Sequence, residues 1–407
     1  MHLDSTTWAV LAALLLTAIA ALVWVFTRPL PKFPERETPE LPLPLEPIHL
    51  RFDSSGALHH HSRIFSEQSD EWKTSLRRSG ETLRKNNVSE IILLHGTFVG
   101  SDPVNIFSSL RSVFPKISQR IESGLTQRMR GLIDTVAQDN GNFIPAYAEL
   151  LQKALGDKIS TGLFYWSSSN HHLGRMEGAV GLLQRLAKQG PRASHERILY
   201  IGHSHARQVF ALFTHFINAA GDKKATGAEL WEFVEREGLA SEGLQDKIVA
   251  IKKKKPKFDF VTLGGPIRYK WCFIPDMKVL HIVNHHGETS KVPSIWTFWK
   301  TTSGDYVQQW GMIGSDNIAP TPRERNLNRA LDEILGKGWH TRLWLQSIVR
   351  RERLGDFGRT LLIDYFHAAR QRTNFIKTVF GHGVYTRFDV MQFQFELISQ
   401  YMYDEKR

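Results

Sequence analysis

Short apolar runs alternate with longer amphipathic stretches from residue 89 onward. The candidate strands are residues 90–98, 161–169, 197–204, 258–266, 278–286 and 374–382. The apolar residues of each run are continuous rather than placed at every second position, which is typical of strands buried on both faces. The stretches at 105–136, 174–189 and 205–220 have the spacing of amphipathic helices. The alternation predicts an α/β domain with a doubly wound, mostly parallel sheet and helical insertions.

The N-terminal segment 7–26 differs from the rest of the chain because it carries no charged residue. A helix needs about 20 apolar residues to cross a bilayer, and Trp8 and Trp24 lie near the two ends, where indole rings favour the interface. A cleaved signal peptide is the alternative, since residues 18–20 fit a small-residue cleavage site. No lysine or arginine precedes the run, and the run is long, which favours a single uncleaved transmembrane helix.

The segments after this span predict how the chain is organised. Three basic residues follow the span, namely Arg28, Lys32 and Arg36. The positive-inside tendency therefore predicts a single-pass membrane protein whose large C-terminal part lies in the cytoplasm. Residues 27–50 are rich in proline, which excludes a helix or an inner strand and predicts an extended linker. Residues 51–88 are polar and are expected to form an irregular lead-in to the folded domain at 89–407.

The net charge of +11 favours contact with an anionic surface. Because the chain carries no nucleic-acid-binding motif, we expect that surface to be lipid rather than nucleic acid. One run could contact acidic headgroups: Lys252, Lys253, Lys254, Lys255 and Lys257. A solvated loop before a strand is the alternative for this run. The single cysteine, Cys272, excludes an intrachain disulfide. No metal-ligand spacing is present, and the histidines at 59–61 are interpreted as part of a loop.

The stretch "RILYIGHSHARQVFALFTHF" places a serine between an apolar run and a helical pattern. Gly202 and Ala206 lie two residues before and after Ser204, where the strand and helix backbones pass so close that only small side chains fit. Such a turn holds the hydroxyl above the end of the sheet. The N–H of His205 then points to where an oxyanion forms. The pattern predicts a nucleophilic serine, and an ordinary strand–turn–helix is the alternative.

A second oxyanion donor is expected from the loop after an earlier strand. In "IILLHGTFVG", Gly96 permits a sharp turn directly after the apolar run, and the N–H of Thr97 can then reach over the nucleophile. His95 is interpreted as a structural residue that fixes this loop through a hydrogen bond. The sequence thus predicts an oxyanion hole made by the backbone N–H groups of Thr97 and His205.

The general base is expected late in the chain. His382 lies between two glycines after the last apolar run, which leaves its ring room to move and suits a proton carrier. A histidine in a surface loop is the alternative. The acid that orients His382 is expected after the run at 278–286, and Asp305 is preferred. The other candidate acids are Asp316 and Glu288.

These motifs together resemble the α/β-hydrolase superfamily, and within it lipases and esterases. The resemblance depends on "GHSHA", the earlier His-Gly loop, "VTLGGP" and the late Gly-His-Gly, and it extends over about residues 89–403. It implies acyl transfer to water without a cofactor. Ser204 would be the nucleophile and His382 the base and then the acid, with an acidic residue orienting His382. The family pattern has glycine where this chain has Ala206.

Three functions are compatible with the sequence. The first is a membrane-anchored serine hydrolase that cleaves carboxylic esters, most simply those of lipids. The second is a catalytically silent scaffold of the same fold that binds a protein or a lipid at a membrane. The third is a serine hydrolase that acts on amides or thioesters. Helical insertions at about 105–155 and 323–372 are expected to cap the site, since an apolar lid suits a long acyl chain. Core packing is the alternative for both insertions.

Overall fold

A parallel β-sheet forms the centre of the protein. The computed structural model describes residues 42–50, 64–96, 143–190, 192–286, 304–305, 307–308, 319, 321–336, 353–365 and 381–404. Within these residues the strands are β1 (Ile48–Leu50), β2 (Val88–Leu94), β3 (Ser160–Phe164), β4 (Arg197–His203), β5 (Lys257–Leu263), β6 (Lys278–Asn284) and β7 (Arg359–Ile363). They make one seven-stranded sheet in the order β1-β7-β6-β5-β4-β2-β3, and every neighbouring pair is parallel.

Helices cover both faces of this sheet. They are α1 (Asp70–Lys85), α2 (Pro145–Leu155), α3 (His172–Gln189), α4 (Ala206–Ala219), α5 (Ala228–Arg236), α6 (Leu244–Lys253), α7 (Pro322–Leu335) and α8 (Phe388–Ile398). Ile92 and Leu94 of β2 point into a core shared with α3 to α6. Ile91 and Leu93 point to the opposite side, into a core shared with α1, α2 and α8. Burial on both faces explains why the strands read as continuous apolar runs.

The predicted α/β architecture is confirmed. The runs at 90–98, 161–169, 197–204, 258–266 and 278–286 each contain a strand, and α3 and α4 match the helices predicted at 174–189 and 205–220. Each of those strands ends before its predicted run does. In the run at 374–382, residues 374–380 lie outside the described residues, and 381–382 form a turn. The helix predicted at 105–136 also lies outside them.

The expected irregular lead-in at 51–88 is wrong for its second half, which forms α1. The Ser69 hydroxyl accepts a hydrogen bond from the Trp72 N–H and caps the helix. Acidic residues occupy the first turn and basic residues the last, as the helix dipole favours. The buried residues Trp72, Leu76 and Leu83 form a single narrow stripe. Because charged residues cover the rest of the helix, the segment looks polar overall and its amphipathic period was missed.

Only parts of the two expected cap insertions, 143–155, 323–336 and 353–365, lie among the described residues, so their role as caps stays a prediction. In the insertion predicted at 105–155, the described residues form α2. This helix packs through Tyr147, Leu151 and Leu155 into the core that it shares with α1 and α8. The insertion predicted at 323–372 contains β7, a buried strand between β1 and β6. Only α7 lies near the carboxyl edge of the sheet, where Asn328 Oδ1 accepts a hydrogen bond from the Leu173 N–H. A five-residue strand with only three apolar residues, 361–363, is too short to be revealed by periodicity.

The end of the proline-rich linker joins the sheet. In the predicted linker at 27–50, residues 48–50 form β1, which pairs with β7 at the edge of the sheet. Proline is compatible with an edge position because one side of such a strand needs no backbone donor. The predicted transmembrane segment 7–26 lies outside the described residues. Among the residues that are described, we find no helix with the length and apolarity needed to cross a membrane.

His281 on β6 is a buried histidine with a partner at each ring nitrogen. Nε2 lies 2.8 Å from the Phe357 carbonyl oxygen, and Nδ1 lies 2.6 Å from Thr262 Oγ1. The neutral ring can therefore donate to the carbonyl and accept from the hydroxyl. Burial, reinforced by the positive charge of Arg207, lowers the pKa of His281 from 6.5 to about 4.

We expect the free energy of unfolding to fall by about 3 kcal/mol more in the wild type than in a His281→Gln variant as the pH drops from about 6.5 to about 4. The unfolded chain binds the proton near pH 6.5, whereas the folded chain resists it down to about pH 4. The contribution to stability is therefore complete above the unfolded pKa and is lost on acidification. Urea unfolding of both proteins across this range measures the difference. The same pH dependence in both proteins would contradict the assignment.

Candidate active site

Ser204 occupies a strained turn between β4 and α4. Its φ of 56° lies in the left-handed region, which costs a residue with a side chain about 1–2 kcal/mol. A Cβ placed on Gly202 would lie 2.8 Å from the Ala206 Cβ and 2.5 Å from the Phe210 ring. Gly202 is therefore required, and the methyl group of Ala206 still fits at the position where the hydrolase pattern has glycine. This local geometry is the one that the sequence predicts.

The loop after β2 passes directly over Ser204. A Cβ placed on Gly96 would lie only 2.6 Å from the Ser204 Cβ, so no side chain can be accommodated there. His95 holds this loop as predicted, with its Nδ1 2.9 Å from the Gly96 carbonyl oxygen. The Ser168 hydroxyl also donates to that carbonyl over 3.0 Å, and Trp166 Nε1 donates to the His95 carbonyl over 2.9 Å. The predicted oxyanion donor Thr97 is the next residue and lies outside the described residues.

His382 and Asp305 form a fully buried pair. His382 Nδ1 lies 2.8 Å from Asp305 Oδ2, and the two side chains are 1% and 0% exposed. The Asp305 N–H donates to the carbonyl oxygen of Asn284, the last residue of β6. This bond explains how a residue from a connecting segment reaches the carboxyl edge of the sheet. The other candidate acids, Asp316 and Glu288, lie outside the described residues.

Two further donors hold the Asp305 carboxylate. The Tyr385 hydroxyl donates to Oδ2 over 2.8 Å, and the Gln308 backbone N–H donates to Oδ1 over 2.8 Å. Burial, and then the charge of Asp305, raises the pKa of Tyr385 well above its ordinary value. Tyr385 therefore remains a neutral donor. Sequence reasoning missed Tyr385, although its position three residues after His382 on a 3₁₀ turn places both side chains on one side.

His203 connects the serine turn to the His382–Asp305 pair. Its ring lies 4.4 Å from the His382 ring between centroids, and its Nε2 lies 3.1 Å from the His382 carbonyl oxygen. The residue directly before Ser204 thus packs on the predicted base. Among the described residues, His382 Nε2 has no hydrogen-bond partner. The Ser204 hydroxyl oxygen lies 3.4 Å from His205 Nδ1. The serine and the base share one edge of the sheet without a direct hydrogen bond.

Other histidines at strand ends stabilise loops around this edge. His171 accepts a hydrogen bond from the Gly174 N–H and so caps α3. His172 Nδ1 lies 2.5 Å from the Tyr269 hydroxyl. His286 is bonded to Asp364 just beyond the ends of β6 and β7. In the part of the chain that is described, no group of three or more histidine, cysteine or carboxylate side chains has the geometry of a metal site.

Three features lie together at this edge of the sheet. A serine sits on a strained strand–helix turn, a glycine loop passes above it, and a buried histidine–aspartate pair packs beside it. These are the elements that serine hydrolases combine. Comparisons of the chain with models of known protein families, with curated proteins and with solved structures give no match. A functional assignment therefore depends on this geometry.

Proposed function

We propose that this protein is a serine hydrolase of the α/β-hydrolase type that cleaves carboxylic esters through an acyl-enzyme on Ser204. One observation carries the proposal: Ser204 adopts a φ of 56° between β4 and α4, at the same sheet edge as the buried His382–Asp305 pair. Left-handed backbone at a non-glycine residue persists only where the surrounding structure enforces it. Strain at a serine beside a histidine–carboxylate pair has a direct use in nucleophilic catalysis.

The proposed reaction begins when His382 Nε2 accepts the Ser204 hydroxyl proton. The oxygen attacks the ester carbonyl carbon, and the resulting oxyanion accepts hydrogen bonds from the N–H groups of His205 and Thr97. Asp305 holds the Nδ1–H tautomer of His382 and stabilises the imidazolium. His382 then gives the proton to the leaving alcohol. Water repeats the sequence on the acyl-enzyme and releases the acid.

In the proposed reaction His382 moves toward Ser204 to complete this arrangement. The ring is flanked by Gly381, whose φ of 78° is in the left-handed region, and by Gly383. Catalytic hydrogen bonds are often long or absent without substrate and shorten in the reacting complex. We therefore expect the His382 ring to remain bonded to Asp305 while its Nε2 approaches the Ser204 hydroxyl. No cofactor takes part in this mechanism.

Lipid esters are the proposed substrates. The supporting features are the apolar segment 7–26, the net charge of +11 and the basic run that ends at Lys257. A single transmembrane helix would hold the domain at a membrane surface, where anionic headgroups attract basic proteins. We propose that the domain lies on the cytoplasmic side, by the distribution of basic residues around the helix. Matched ester, amide and thioester substrates, assayed in parallel, test the preference for esters.

Labelling with a fluorophosphonate tests whether an activated serine exists. We expect the protein to react with the probe and the modified peptide to contain Ser204. A Ser204→Ala variant should not be labelled, whereas a Ser399→Ala variant, which removes another buried hydroxyl on the side of α8, should be labelled like the wild type. Labelling of both variants to the same extent would contradict the role of Ser204.

A catalytically silent scaffold is the second candidate function. It is favoured by the distance of 3.4 Å between the Ser204 hydroxyl and His205 Nδ1, and by the complete burial of Ser204. A serine held in this way would serve only to shape the turn. Absence of fluorophosphonate labelling from a folded protein would favour this function over hydrolysis.

A further inference from the structure

A large apolar cavity lies at the opposite end of the sheet from Ser204. Its volume is about 700 Å³, within the range of ligand sites. It opens beside the first residues of β1, β6 and β7, which is the amino edge of a parallel sheet. Side chains that line it include Leu45, Phe273, Met277, Val279, Phe357 and Tyr401. Two leucines at its mouth are strongly exposed, Leu43 at 88% and Leu45 at 54%.

A basic pocket of about 430 Å³ adjoins this cavity. Met277 and Lys278 line both of them, so the two are neighbours. The charged side chains that line the pocket are Lys85, Arg197, Lys257, Lys278 and Asp276, together with His195. Lysines and arginines outnumber carboxylates here even when Asp259, the buried partner of Arg197, is included. The pocket therefore favours an anion.

We propose that this edge binds one acidic phospholipid of a membrane surface, with the phosphate in the basic pocket and an acyl chain in the apolar cavity. An apolar cavity and a basic pocket with a common wall match the two parts of such a molecule. A soluble anion would fill the basic pocket but leave the apolar cavity empty. A lipid without a net charge would fill the cavity but leave the positive charges of the pocket without a counter-charge. The site is separate from the serine edge and does not depend on hydrolysis.

The course of the chain supports a membrane as the source of this lipid. Pro42, the first residue that the structure describes, lines the apolar cavity. The preceding residues lead back to the apolar segment 7–26 through a short proline-rich stretch. An extended stretch of some 15 residues spans about 50 Å at most. A helix at 7–26 inserted in a bilayer would keep this edge near the lipid surface.

The lysine run divides into residues with different roles. Lys252 Nζ donates to the carbonyl oxygens of Asn218 and Ala220 and thereby stabilises the end of α4. Lys253 and Lys254 are exposed and do not line the pocket. Lys257 begins β5, lines the pocket and lies 3.5 Å from Asp276. Charge near the membrane and charge inside the pocket can therefore be tested separately.

The test uses the full chain carrying Ser204→Ala in a non-ionic detergent, so that no lipid is hydrolysed. Affinities are measured for phosphatidylglycerol and phosphatidylcholine with a fluorescent acyl chain. We expect phosphatidylglycerol to bind about tenfold more tightly. The double substitution Lys85→Gln and Lys257→Gln should weaken phosphatidylglycerol binding about tenfold and leave phosphatidylcholine unchanged. Leu45→Asp should weaken binding of both lipids.

The matched control is Lys253→Gln with Lys254→Gln, which removes the same charge from the same edge outside the pocket. We expect it to weaken phosphatidylglycerol binding less than about threefold. Equal loss in both double variants would show general attraction and overturn the site. Equal affinity for the two lipids would also overturn it. Complete competition by glycerol phosphate would show a soluble-anion site and contradict the acyl-chain part.

Discussion

Replacing Ser204 by alanine is expected to lower kcat for a soluble p-nitrophenyl ester by about 10⁴-fold or more. The methyl group leaves the turn, the oxyanion donors and the His382–Asp305 pair in place, so only the nucleophile is lost. Alanine tolerates the left-handed φ of 56° no better than serine does. Thermal unfolding should therefore be unchanged, and steady-state kinetics measure the loss.

Ser399→Ala is the control for this measurement. Ser399 is buried, its hydroxyl donates to the Phe395 carbonyl oxygen over 2.8 Å, and it lies beyond the end of α8. Activity of this variant should remain within about threefold of the wild type, as is usual for a change with no contact to reacting groups. Hydrolysis that survives in Ser204→Ala would remove Ser204 from the mechanism.

Replacing Asp305 by asparagine is expected to lower kcat by about 10⁴-fold, with KM nearly unchanged. Both carboxylate oxygens now accept hydrogen bonds: Oδ1 from the Gln308 N–H, and Oδ2 from Tyr385 and His382. An amide has one oxygen, so one of these positions must receive an NH₂ group that faces a donor. If it faces His382, the ring adopts the tautomer that cannot accept the serine proton.

Asp364→Asn provides the matched control, because Asp364 is bonded to His286 at the same edge of the sheet. Loss of that carboxylate should change kcat less than about threefold, since His286 is half-exposed and neither residue takes part in the proposed reaction. Comparable losses in both variants would indicate that Asp305 acts through folding. The free energy of unfolding, measured for each variant, separates loss of activity from loss of structure.

Local features of the site could be predicted from the sequence with good positional accuracy. Gly202 must be small because it contacts Ala206 and Phe210, which follow it by four and eight residues. The loop at Gly96 could be predicted because it directly follows a buried strand. The contacts of the serine turn lie within one short stretch of chain, which a sequence pattern records, whereas the contact that requires Gly96 is made with the distant Ser204.

From the sequence, the acidic partner of His382 could be limited to a few candidates, but it could not be identified. In the sequence, Asp305 and Asp316 both stand within a few residues of a glycine and a serine, in stretches of similar composition. The bond between the Asp305 N–H and the Asn284 carbonyl oxygen brings Asp305 to the end of β6, and Tyr385 and Gln308 then satisfy its carboxylate. These contacts join residues up to 80 positions apart. The hydrophobic periodicity of a short stretch of sequence cannot indicate contacts between residues so far apart.

The sequence by itself determined the alternation of buried strands and amphipathic helices and the strained turn at Ser204, because these depend on side-chain periodicity and on sterics between near neighbours. Only the tertiary structure decided that α1 covers the sheet, that β7 lies inside it, and that Asp305 meets His382. It also decided that an apolar cavity adjoins a basic pocket at the far edge. The physical reason is that the order of the strands in the sheet brings segments together that are distant in the sequence. This order depends on packing contacts throughout the core rather than on any one stretch of sequence.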